Sequence, residues 1–135
     1  GAQFLLGVDL EKDEKILNTA YNDAAGVTAA FNLNLLYRMR RELDADISVE
    51  DFEHHAFYNA RETRIEMHLR ARVATDIVID AMSFHFEAGE TLHTENSYKY
   101  SRARLADLLR ETPWKLDKIW TDQQGWYAAC LLSHR

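Results

Sequence analysis

With 135 residues, 47% hydrophobic and 28% charged, the chain carries enough apolar material for about one packed domain and too much for a disordered one. A formal net charge of −6 argues against a nucleic-acid backbone or an anionic membrane as the main partner. The single cysteine, Cys130 in "AACLL", cannot form an internal disulfide and reads as a buried structural thiol in a reducing, cytosolic setting; no apolar run approaches the roughly 18 residues of a membrane span.

The chain opens "GAQFLLGVDL", without Met and without a leader, so Gly1 and Ala2 read as a cloning remnant and the rest as cut from something longer. "FLLGVDL" (4–10) is a short apolar run of the kind found in strands covered on both faces, as in a parallel sheet. "DEKILNTAYN" (13–22) has helical spacing, and Gly26 breaks it. A second helix is expected over 27–43, where Val27, Phe31, Leu35, Met39 and Leu43 make an i, i+4 ridge. Arg38, Arg40 and Arg41 lie beside Glu42 and Asp44 on that helix and read as a solvated face rather than a phosphate site. "SVED" (48–51) is a capping-box pattern opening a helical turn.

The period then changes to two. In "RIEMHLRARV" (64–73), Ile65, Met67, Leu69, Ala71 and Val73 alternate with Glu66, His68, Arg70 and Arg72, an amphipathic strand. "DIVID" (76–80), "SFHFE" (83–87) and "TLHTENSYKY" (91–100) continue as strands. Ser101 is a helix N-cap for "RARLADLLRE" (102–111), and "KLDKIWTD" (115–122) and "WYAACLLS" (126–133) are strands around the turn "QQG". The fold class is therefore α/β with mixed α+β character. Residues 1–12 and 101–135 read as pieces of one sheet with a helix. Residues 13–100 read as an insert made of a helical pair and an antiparallel meander, where a specificity pocket belongs.

Within "TLHTENSYKY", alternation puts Thr91, His93, Glu95, Ser97 and Lys99 on one side and Leu92, Thr94, Asn96, Tyr98 and Tyr100 on the other. Glu95 and Ser97 are then about 6.6 Å apart along one face, able to hold the two ends of a small polar ring such as an imidazole. Met67 packs against a flat ligand or simply fills the core, and the Tyr21 hydroxyl meets a ligand or water. The plainer reading of Glu95 is a strand carboxylate that is solvated or paired with Lys or Arg, Lys99 being on the same face. His54, His55, His68, His85 and His93 show no recognised metal-ligand spacing, and His54 and His55 would face opposite sides of a strand, so no metal is expected. There is no G-x-S-x-G elbow, G-x-G-x-x-G loop or Walker loop.

"LLGVDLEKD", "AYNDAAGVTAAFNLNLL", "FEHHAFYN", "RIEMHLRA", "FEAGETLHTENSYKY" and "IWTDQQGWYAACLL" stand here in an order that resembles the carboxy-terminal part of the histidine-specific, S-adenosylmethionine-dependent methyltransferases, over residues 4–132. These make trimethylhistidine for ergothioneine, and the family includes an enzyme acting on a prenylated tryptophan. The resemblance implies a Rossmann-like methyltransferase sheet, to which both ends of the chain would belong, with an inserted substrate domain. It implies that Glu95 and Ser97 contact the imidazole, that Asn96 lines the same segment, that Met67 helps select histidine and that Tyr21 touches the amino-acid head group. The glycine-rich loop and acidic ribose ligand of the family have no counterpart in these residues. The cofactor S-adenosylmethionine would thus be bound mostly outside this chain, which would not methylate anything alone. In the complete enzyme the α-amine would attack the sulfonium methyl in line, with alignment rather than a base as the main contribution.

The competing reading is a non-catalytic amino-acid-binding or dimerisation module derived from the family. A further expectation is that the piece self-associates through an exposed sheet edge. Its expected partners are L-histidine and the amino-terminal methyltransferase half.

Overall fold

A computed structural model describes residues 1–135. In chain order the elements are β1 (Gln3–Asp9), α1 (Glu14–Tyr21), α2 (Val27–Leu43), a 3-10 turn (Val49–Asp51), β2 (Phe52–Asn59), β3 (Arg64–Ala71), β4 (Thr75–Ile79), β5 (Met82–Phe86), β6 (Thr91–Tyr98), α3 (Arg102–Arg110), β7 (Trp114–Thr121) and β8 (Tyr127–His134). Helices and antiparallel sheets combine into the mixed α+β class read from the sequence. No helix is long and apolar enough to cross a membrane. The chain divides into two compact units: Gly1–Asp13 with Ala60–Arg64 and Tyr98–Arg135, and Glu14–Asn59 with Ile65–Ser97.

In the first unit the sheet order is β1-β8-β7, with β8 antiparallel to both neighbours, so β1 and β7 run parallel on either side of it. Val8, Ala128, Cys130 and Leu132 point to one face and bury Leu105 and Leu109 of α3. Ser101 caps α3 by accepting the Arg104 amide at 3.2 Å, the role its position predicts. Burial pushes the Cys130 thiol above its ordinary pKa, as expected of a structural cysteine. β1 departs from its sequence reading. It pairs antiparallel with β8 and leaves Phe4 45% and Leu5 65% exposed, so it is an edge strand rather than one covered on both faces. A short apolar run carries no information on which neighbours it will find, and this one finds a full strand partner on one side and only a single parallel bridge, Leu10 to Tyr100, on the other. Gly7 lies against Tyr127 so closely that a Cβ there would meet the phenol oxygen at 1.8 Å.

Lys99 also belongs to this unit. Its side chain is fully buried and its ammonium donates to Asp9 at 2.7 Å, while Lys12 donates to the other Asp9 oxygen. Of the two plain readings of Glu95, pairing with Lys99 gives way because the cation is committed to Asp9 of β1, and Glu95 is exposed.

In the second unit β2, β3 and β6 form one sheet in that order, and β4 and β5 form a separate antiparallel hairpin. The strands from 64 to 98 are thus no simple meander. The chain leaves β3, makes the β4–β5 hairpin and returns to lie beside β3. β2 escaped the sequence reading because "FEHHAFYN" carries aromatic and imidazole rings on both faces and shows no clean period. Leu36 of α2 packs on Phe52, Leu69 and Ala71, and Leu17 of α1 packs on Ala56, Ile65 and Met67. "SVED" does form a helical turn, of 3-10 type, but Ser48 makes no side-chain cap.

α2 begins at Val27 as its pattern predicts, after Gly26 at φ 71°, a left-handed conformation that glycine adopts at little cost. Its facing is the surprise. Of the apolar ridge, Val27, Phe31, Leu35 and Leu43 are exposed and only Met39 is half-buried. The face turned to the sheet carries Asn32 and Leu36. A polar residue occupies the centre of the buried stripe because three strands hydrogen-bond to it, and counting apolar residues cannot reveal that.

Candidate functional site

α1 ends at Tyr21, whose ring packs on the cluster of Leu17, Ala56, Ile65 and Met67. Its hydroxyl and that of Ser97 are 2.7 Å apart, a hydrogen bond spanning 76 residues of sequence. Met67 is 2% exposed within the same cluster. Three residues read as candidates from the sequence, Tyr21, Met67 and Ser97, therefore share one neighbourhood. Glu95 is exposed and lines a groove of about 170 Å³ with Phe31, Asn32, Leu35 and Arg38. Ser97 does not line that groove, and Asn96 is exposed between the two. The volume is below the roughly 300–1,000 Å³ of a complete ligand pocket, so this groove alone holds no more than a small group.

The alternation expected along β6 is not kept. Met67 and His68, adjacent in β3, face opposite sides of the sheet. His93 stacks on His68 with centroids 4.3 Å apart, whereas Ser97 bonds to Tyr21 on the Met67 side. Two residues an even number apart thus lie on opposite faces. Thr94 and Ser97, three apart, both bond to groups on the helix side. A one-residue slip within the strand reverses the facing of every later residue in it.

Arg38 is committed elsewhere. Its guanidinium makes a two-bond contact to Glu42, at 3.2 and 3.0 Å, and Arg41 adds a third at 2.8 Å. Those bonds, Arg38's first, hold the Glu42 carboxyl down to about 2. The arginines of α2 behave as the solvated face expected of them.

The other face of the sheet gathers rings that spacing alone did not bring together. Glu66, His68 and His93 have ligand atoms within 4.8 Å of one another. His68 Nε2 faces Glu66 at 3.2 Å, Glu66 also accepts from Asn59 at 2.9 Å, and His68 Nδ1 is buried without a partner. His68 lies between Phe57, at 5.4 Å and 18°, and His93, at 4.3 Å and 15°. Imidazole lone pairs lie in the ring plane, so two nearly parallel, stacked rings aim their nitrogens side by side and not at one ion. The group is an aromatic stack with a carboxylate at its edge. His55 is on this face and His54 on the other, as adjacent strand residues must be. Burial first, then the Arg70 charge, pushes the His55 imidazole below its ordinary pKa.

Comparison with known sequences gives this site a context. The chain is 48% identical over 132 residues to histidine N-alpha-methyltransferase from Mycolicibacterium smegmatis, and 41% identical over 127 residues to histidine N-alpha-methyltransferase from Mycobacterium tuberculosis. Each match covers 93% of this chain but only 40% of the relative, so the chain spans well under half the length of the curated relatives it matches. The sequence profile described as "Histidine-specific methyltransferase, SAM-dependent" matches residues 1–134, and the chain belongs to that family.

Proposed function

We propose that this chain is the substrate-binding portion of a cytoplasmic, S-adenosylmethionine-dependent enzyme that methylates the α-amine of L-histidine, as far as the trimethylated product. The observation that carries the reading is the Tyr21–Ser97 hydroxyl pair at 2.7 Å, beside Met67 and two residues from Glu95. A carboxylate accepts an imidazole N–H, and a hydroxyl donates to the bare far nitrogen or, in the imidazolium, accepts from it. Met67 gives the ring a soft apolar wall, and Tyr21, freed from Ser97 as the ring enters, turns its hydroxyl to the head group. The unit containing Glu14–Asn59 is proposed as the substrate domain, and the β1-β8-β7 sheet as the end of the methyltransferase sheet.

The residues at hand do not fit the cofactor. A nucleoside's ribose asks for an open carboxylate at the carboxyl end of a strand, and Asp9, which stands at such an end, is taken by Lys12 and Lys99. The cofactor site is therefore proposed to lie in the rest of the enzyme, and the chain alone is proposed to be inactive and to self-associate through the free edge of β1.

Calorimetry of L-histidine against the complete enzyme, with and without the cofactor, tests the reading. We expect binding, and at least a tenfold loss with Glu95→Ala, because a desolvated ligand N–H then lacks its acceptor. Unchanged affinity in that variant would remove Glu95 from the site. No response to L-histidine in the wild type would refute the function.

A further inference from the structure

Asn32 is 3% exposed in the second turn of α2, and every hydrogen-bonding atom of its amide is used. Nδ2 donates to the His68 carbonyl of β3 at 3.0 Å and to His54 Nδ1 of β2 at 3.0 Å. Oδ1 accepts from the Thr94 hydroxyl of β6 at 2.7 Å. A carbonyl can only accept, so the amide cannot be turned over without setting its oxygen against that of His68. That fixes His54 in turn. Its Nδ1 must accept from Asn32, so its proton is on Nε2, which donates to the Tyr21 carbonyl at 2.8 Å. Carbonyls at two ends of the chain of bonds, His68 and Tyr21, set the direction of each bond between them.

The two outer ends of this network are where the proposed substrate contacts begin. One is the backbone of Tyr21, whose side chain meets Ser97. The other is Thr94, whose single hydroxyl proton lies between Asn32 Oδ1 at 2.7 Å and the Met67 carbonyl at 2.9 Å, and which immediately precedes Glu95. We infer that Asn32, acting through His54 and Thr94, is the positioning residue of the histidine site: it fixes the separation between the Tyr21–Ser97 pair and the Glu95 carboxylate. The inference rests on the functional reading above. It assigns a role to residues that need not touch the substrate.

Replacing Asn32 itself risks unfolding the unit, so Thr94 carries the test. Thr94→Val keeps the shape and removes the donor to Asn32 Oδ1, whereas Thr94→Ser keeps the donor. In the complete enzyme, Thr94→Val raises the KM for L-histidine about tenfold with kcat within about twofold of wild type, and Thr94→Ser restores both. A merely structural role would lower the melting temperature and the amount of active enzyme but leave KM alone. A Thr94→Val enzyme with unchanged KM, or a Thr94→Ser enzyme as impaired as Thr94→Val, overturns the inference. Nitrogen-15 NMR of His54 judges the network without reference to turnover: the expected state has Nε2 protonated and Nδ1 bare, and the opposite tautomer overturns it. If the wild type ignores L-histidine, the functional reading falls before any variant is compared, and the positioning role falls with it. A wild type that accepts L-histidine beside an indifferent Thr94→Val sinks the positioning role alone.

Discussion

At the scale of single residues, the most consequential pair outside the site is Asp9 with Lys99. Burial pushes the Asp9 carboxyl upward, but hydrogen bonds from Lys12 and Lys99 and their charges outweigh it and hold the group below the ordinary carboxylate range. The two partners are not equivalent. Lys99 is wholly buried, whereas the Asp9 side chain is 31% exposed and keeps Lys12 as a second cation. Asp9→Asn takes the carboxylate away from a buried ammonium and is expected to cost near the lower end of ~3–5 kcal/mol, since solvent still reaches the position. Lys99→Met removes the buried charge, leaves Asp9 with Lys12 and is expected to be far milder. Urea midpoints of the two variants decide the matter: a Lys99→Met protein less stable than Asp9→Asn would contradict the account. Because the folded pKa of Asp9 is depressed, its contribution is complete above the ordinary carboxylate pKa and fades as the pH falls through the lower, folded value.

Among the elements, α2 shows what its own sequence could and could not settle. Asp23 stands ahead of the helix and accepts from the Val27 and Thr28 amides, each at 2.9 Å, satisfying two donors that have no partner in the first turn. The Thr28 hydroxyl first, and then the Thr28 and Val27 amides, lower the Asp23 carboxyl from 3.8 to about 2. A depressed pKa means that the stabilisation is present above about pH 4 and is lost as pH falls toward 2. Thermal melts of wild type and Asp23→Asn are therefore expected to differ above pH 4 and to converge near pH 2. A gap that persists at pH 2 would mean that the carboxylate charge is not what caps the helix. The helix's extent was legible, because Gly26 and the following run mark it locally. Its orientation was not: the ridge from Val27 to Leu43 is the obvious apolar face, yet Asn32 is the residue turned inward. The same reason hid part of the site. Tyr21, Met67, Glu95 and Ser97 could be nominated from motif and residue type. The slip that separates the facing of His93 and Ser97, and the Asn32 network beneath Glu95, depend on pairings between strands far apart in sequence. No local pattern reports those.

For the chain as a whole, the weak point is an edge. The order β1-β8-β7 leaves one side of β1 without a strand partner in its sheet. Proteins guard such edges with charge, proline or brevity. β7, at the opposite edge, follows Pro113 and carries Lys115, Asp117 and Lys118. β1 reads QFLLGVD, with no charge before Asp9, and two of its large apolar side chains, Phe4 and Leu5, are exposed. Two copies can satisfy that edge by laying one β1 against the other in antiparallel fashion about a two-fold axis. In the complete enzyme the proposed methyltransferase half would take the same place and leave nothing to pair. Sedimentation at rising concentration is thus expected to show this chain passing from monomer to dimer, with Leu5→Lys shifting the equilibrium back to monomer by placing a charge on the free edge. A chain that stays monomeric at the highest concentrations, or a Leu5→Lys variant that dimerises as readily as wild type, would show that β1 is not the surface through which copies meet.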